Sequence, residues 1–123
     1  MRNMVELAVE DFNKTLGIES MPLPESGVMQ FAFSHGGSFF IECTRDGALM
    51  YLLRECNEHG MSEIMEKALD LCHFSASRKF DTQCALKDQN SLVFVVHRKF
   101  EDISGPEIEK CLQHLTRLHD SLK

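Results

Sequence analysis

Three helix-like stripes and five strand-like runs alternate along the chain, in the order helix, three strands, helix, two strands, helix. The strand-like runs carry more apolar side chains than three helices can cover. Successive residues of a strand point to opposite faces, so a sheet with one wet face reads polar at every second position. These runs do not read that way. The fold class that follows is α+β, with helices packed on an antiparallel twisted sheet and a single domain over residues 1–123. Apolar surface in excess of what the fold can hide points to a protein that works by binding other chains.

The first helix is predicted from Val5, Ala8, Val9, Phe12 and Leu16, spaced i, i+3, i+4, i+7, with Gly17 as its stop. Pro22 and Pro24 make Met21 to Glu25 an extended linker. Strands are expected at Val28 to Phe33, Phe39 to Cys43 and Ala48 to Leu53, joined by turns at His35-Gly36-Gly37 and Arg45-Asp46-Gly47. Asp-Gly between apolar runs suits a type I′ hairpin, which needs positive φ. One face of this meander is expected to carry Met29, Phe31, Phe33, Phe39, Ile41, Cys43, Leu49, Tyr51 and Leu53. The other is expected to hold Val28, Ala32, Phe40, Met50 and Leu52.

A second helix is expected from Ser62 as N-cap, with Ile64, Met65, Ala68, Leu69, Leu71 and Cys72 covering more than half of its circumference. So wide an apolar arc needs cover on two sides. A polar link from Ser75 to Lys79 leads to a strand at Thr82 to Leu86, a turn at Asp88-Gln89-Asn90, and a strand at Leu92 to Val96 that is apolar on both faces and therefore central or at an interface. In the last helix Ser104 and Glu107 form a capping box around Pro106, followed by Ile108, Cys111, Leu112, Leu115, Leu118 and Leu122 on one stripe.

Charge narrows the function classes. Thirteen Lys and Arg against 19 Asp and Glu leave a net charge of −6, which repels nucleic acid and anionic membrane at long range. No Trp and one Tyr leave little to stack on bases. Glu6, Glu10 and Asp11 interrupt the amino terminus, so a cleaved secretory signal is not expected. The longest apolar stretches, Ala48 to Leu53 and Leu92 to Val96, are far short of the roughly 20 residues that span a bilayer. Cys43, Cys56, Cys72, Cys84 and Cys111 are an odd set without a CxxC pair, mostly on apolar faces, and are expected to be reduced thiols.

No residue pattern carries catalytic chemistry. Cys72 and His73 are adjacent on a helix and point about 100° apart. Cys111 and His114 share a helical spacing, but His119 lies off it and a zinc site wants three or four ligands. Ser34-His35-Gly36-Gly37 falls within a hairpin turn, which explains its glycines. No GxGxxG, Walker loop or HExxH is present, so no enzyme, cofactor or metal is expected.

Across its whole length the chain resembles the class I type III secretion chaperones, and within them the SycN type of gatekeeper chaperone. The stretches that carry the resemblance are FNKTLG (Phe12 to Gly17), the proline-containing link after it, MEKALDL (Met65 to Leu71) and QHLTRL (Gln113 to Leu118). The resemblance implies a dimer in the bacterial cytoplasm that binds the amino-terminal segment of a secreted substrate, without ATP, and keeps it competent for export. It further implies a homodimer, or a heterodimer with a second small chaperone, holding a secretion gatekeeper. A generic dimeric adaptor and a thiol-dependent enzyme built on Cys72 or Cys111 are the alternatives. The client is expected at Phe12, Phe31, Phe33 and Phe40, laid along a sheet edge. The dimer interface is expected at Ile64, Met65, Ala68, Leu69, Phe94 and Val96.

Overall fold

The computed structural model describes residues 2–17, 24–33, 37–56, 60–75, 82–88 and 90–122. Its elements are α1 (Arg2–Leu16), β1 (Val28–Phe33), β2 (Gly37–Cys43), β3 (Gly47–Glu55), α2 (Met61–Ser75), β4 (Thr82–Leu86), β5 (Ser91–Lys99), a 3-10 turn at Phe100–Asp102 and α3 (Gly105–Asp120). The linker at 21–23, the turn residues 34–36, the link at 76–79 and Gln89 lie outside the described residues.

The five strands form one antiparallel sheet in the order β1-β2-β3-β5-β4. β5, apolar on both faces, is flanked by β3 and β4, while β1 and β4 are the edges. Register decides which side chains share a face. Phe39 pairs with Leu52 and Ile41 with Met50, so β3 turns Ala48, Met50 and Leu52 into the core. The face expected from sequence is therefore corrected by one residue in β3: Leu49, Tyr51 and Leu53 point the other way, alongside Phe40. A one-residue slip exchanges every side chain of a strand between faces.

All three helices contribute apolar residues to the core. α1 inserts Val5, Val9 and Phe12, and Phe12 meets Phe31 edge-on at 5.4 Å and Phe39 at 6.0 Å. α3 lies across β3 and β5 and buries Ile108, Cys111, Leu115 and Leu118. An ion pair holds each of its ends: Arg98 of β5 to Glu107 at 2.9 Å in the first turn, and Arg54 of β3 to Asp120 at 2.8 Å in the last. Glu107 thus turns its carboxylate to Arg98, while the Ser104 hydroxyl accepts from the Glu107 N–H at 3.2 Å. Among the described side chains of α2 only Ala68 and Cys72 are buried, against β4, and Leu69 is exposed. Its wide apolar arc has cover on one side. Ser62 lies inside its first turn rather than ahead of it.

Two glycines act through space rather than as flexible points. A Cβ on Gly47 would collide with the Arg98 carbonyl of β5, and one on Gly105 would collide with the Asp11 carboxylate of α1. The turn before Gly47 is not type I′, because among the described residues positive φ occurs only at Gly17, Gly27 and Gly37. Asp-Gly serves there by letting β3 approach β5, and the Thr44 N–H closes the loop onto the Gly47 carbonyl at 2.9 Å.

His119 is 4% exposed. Its Nε2–H donates to the Leu52 carbonyl at 2.8 Å, and its ring stands edge-on to Phe94. Burial holds its pKa below the usual histidine value; the Leu52 bond and Asp120 oppose that shift and Arg54 adds to it. A lowered native pKa means that the unfolded chain takes up the proton first. Stability should be full above the ordinary histidine value of 6.5, fall as pH drops below it and level off beneath the native pKa. Urea denaturation across that range should show the decline in the natural chain and a flatter profile in His119→Gln, which keeps the donor and removes the titration. Parallel profiles would contradict it.

Candidate protein-binding surface

The side of the sheet away from the helices is the candidate site. Phe40 of β2, Leu49, Tyr51 and Leu53 of β3, Val93 and Val95 of β5 and Ala85 of β4 fall on it by register. Most of them are only partly buried. All of them but Phe40 line, with Glu42, Leu86 and Lys87, an open groove of about 320 Å³. Phe40 and Tyr51 stack at 4.8 Å, and the Lys87 ammonium lies 5.6 Å over the Phe40 ring. The Tyr51 hydroxyl donates to Glu42 at 3.3 Å, and burial followed by the Glu42 charge pushes its pKa up. An apolar floor with one cation and one carboxylate at its rim has the character of a protein-binding surface.

A second groove, of about 400 Å³, runs between α2 and the β4 edge and is lined by Met61, Met65, Leu69 and Leu86. Leu86 belongs to both grooves, so the apolar surface continues around the edge strand from one to the other. Flexible methionines beside an open edge suit a contact that has to adapt to its partner.

These surfaces sort the residues named from sequence. Phe12 and Phe31 are sealed in the core, Phe33 is half-buried against it at the end of β1, and Phe40 stands on the outer face. Ala68, Phe94 and Val96 are likewise core residues that a partner cannot touch without opening the subunit. Ile64 and Met65 are partly buried and Leu69 is exposed. Sequence reasoning missed Tyr51, Leu53, Val93 and Val95 as outer-face residues. The signal was present in the alternation of β3 and β5, and the strand register that decodes it was not.

The groups considered for chemistry are dispersed. Cys72 is buried and faces Cys84, while His73 is exposed. Burial, then the neighbouring Cys84 thiol, pushes Cys72 up to about 12, the opposite of what a nucleophilic thiolate needs. Cys111 is fully buried, His114 bonds Thr82 at 2.8 Å, and His119 bonds Leu52. All five cysteines are free thiols. Among the described residues no three His, Cys, Asp or Glu are placed to hold a metal ion, and no helix is long and apolar enough to cross a membrane.

The family model of the type III secretory system chaperone SycN matches residues 4–123. No curated protein matches the sequence. The fold is similar to that in the HopA1–SchA chaperone–effector complex, with a TM-score of 0.71, 14% identity, and 94% of this chain and 92% of that one covered. It is similar to that in the complex of the Yersinia pestis type III secretion chaperone SycH with a stable fragment of YscM2, at 0.69, 15%, 96% and 98%. The ExsC–ExsE complex gives 0.69, 13%, 100% and 91%. Identities this low speak for the fold.

Phe12→Ala should cost about 3–5 kcal/mol, the cost of emptying a core aromatic site, whereas Phe40→Ala should cost about 1 kcal/mol, the scale of one aromatic pair. Urea denaturation of the two variants reads the difference directly, and equal costs would contradict this division of core from surface.

Proposed function

The chain belongs to the SycN family of type III secretory system chaperones, and from that premise we propose that it holds the amino-terminal segment of a secreted protein in the bacterial cytoplasm and keeps it export-competent. The observation that carries this reading is the apolar sheet face that three helices leave open, continuous with the groove under α2. Such surface needs a protein partner. A chaperone of this kind is a binding protein, not an enzyme. It needs no cofactor, because the work is done by burying a client's apolar side chains. Solved relatives of the same fold were captured with partners, among them an effector and a fragment of YscM2.

The client of this chain is a secretion gatekeeper in our reading, and the working unit is a dimer with a second copy or a second small chaperone. Subunit pairing falls to Ile64, Met65 and Leu69 of α2, extended by Leu86 onto the outer face of the sheet. The client lies along the β1 edge, where a strand adds by backbone hydrogen bonds and Phe33 flanks its path. Ordering a disordered segment costs about 2–5 kcal/mol, so the contact has to be long.

Met65→Glu and Leu69→Glu should each leave the helical content intact and reduce the mass seen by light scattering from that of a pair to that of a single subunit, because a carboxylate would be buried in an apolar contact. An unchanged mass would move the interface elsewhere. The purified chain, alone or with its partner chaperone, should retain an unfolded amino-terminal segment of a secreted protein. Retention of folded partners alone would make the chain an adaptor instead.

A further inference from the structure

The strongest unassigned surface is on the helical side of the molecule, away from both grooves above. α1 directs Val5, Val9 and Phe12 into the core, yet Met4 and Leu7 stand on its other side, and Leu7 at 65% is the most exposed of the large apolar side chains described. With Ala8 and Asp11 they face Ile103, Ser104 and Gly105 at the start of α3 across a groove of about 300 Å³. Gly105 makes the groove possible, since a side chain there would strike Asp11.

Carboxylates predominate around the groove. Among the described residues its lining contains the carboxylate of Asp11 and no cation. Glu10 adjoins Asp11 on α1, and Glu101 and Asp102 directly precede Ile103 in the 3-10 turn; all four are exposed. Lys14 lies a turn further along α1. Nothing in this setting favours an anionic surface, whereas a cation flanking an apolar side chain meets attraction at the rim and burial in the floor.

We propose that this groove anchors a client segment that presents a bulky aliphatic side chain flanked by Lys or Arg. The inference rests on the chaperone reading and gives it a sequence preference: apolar surface selects any greasy segment, and the carboxylate rim selects the basic ones among them. The exposed Leu7 is the contact that the anchor covers.

The test uses the full-length protein and two fluorescein-labelled unstructured peptides, one carrying a central leucine between lysines and the other the same sequence with glutamates for the lysines. The lysine peptide should bind at least about tenfold more tightly, and its advantage should shrink as salt screens the rim. Leu7→Ser should weaken the lysine peptide about tenfold, and the double variant Glu10→Lys, Asp102→Lys should erase the preference between peptides. Leu16→Ser, at the far end of α1 and outside the groove lining, should leave both affinities unchanged. Equal affinity of the natural chain for the two peptides, or an unaffected Leu7→Ser, overturns the inference. If the natural chain still retains the unfolded segment of a secreted protein in that event, the chaperone reading stands; if it retains neither, both fall.

Discussion

The seam between α3 and the β3–β5 pair is the contact on which the rest of the molecule depends. Leu52 and Phe94 lie opposite each other on the two strands and are fully buried, with His119 of α3 bonded to the carbonyl of the first and edge-on to the ring of the second. Arg98–Glu107 and Arg54–Asp120 fix the two ends of the helix to opposite ends of the strands. Arg98–Glu107 is largely buried and Arg54–Asp120 is exposed on its Asp side, and together they set the direction of a helix whose apolar stripe already fixes its position. α1 then packs on α3 and on the aromatic cluster of β1 and β2, and α2 takes the remaining place beside β4.

That arrangement spends all three helices on one side of the sheet. Opposite them, Phe40, Tyr51, Leu53, Val93 and Val95 keep the alternation of a strand buried on both faces without the second layer that such strands normally have. In our reading the missing layer is supplied by other chains, which lets a small binding protein use this fold without any catalytic group. A thiol held near 12 and histidines committed to Thr82 and Leu52 are structural pieces. The acidic surface suits the same purpose, since a net charge of −6 keeps a protein with open apolar faces from associating with its like indiscriminately.

Much of the fold was legible in the sequence because periodicity reports burial. The stripe of α1, the Ser104 cap with Pro106 behind it, and the two-sided apolar run of β5 each state a local requirement that the structure meets. The candidate site was less legible. Phe12 and Phe40 are the same residue type in similar apolar surroundings, yet one is sealed and the other lies on the outer face. Phe94 and Val96 likewise read as interface only so long as the helix above them is unknown. Asp46-Gly47 carried a turn signal whose physical reason proved to be the nearness of the Arg98 carbonyl.

The order of elements, the antiparallel sheet and the excess of apolar surface over helical cover were determined by the sequence alone, because each follows from the period and spacing of residues close in the chain. Which face stays open was decided only in three dimensions. It depends on pairing Phe39 with Leu52 and Leu52 with Phe94 across long separations, and a shift of one residue in that register would exchange the core for the surface.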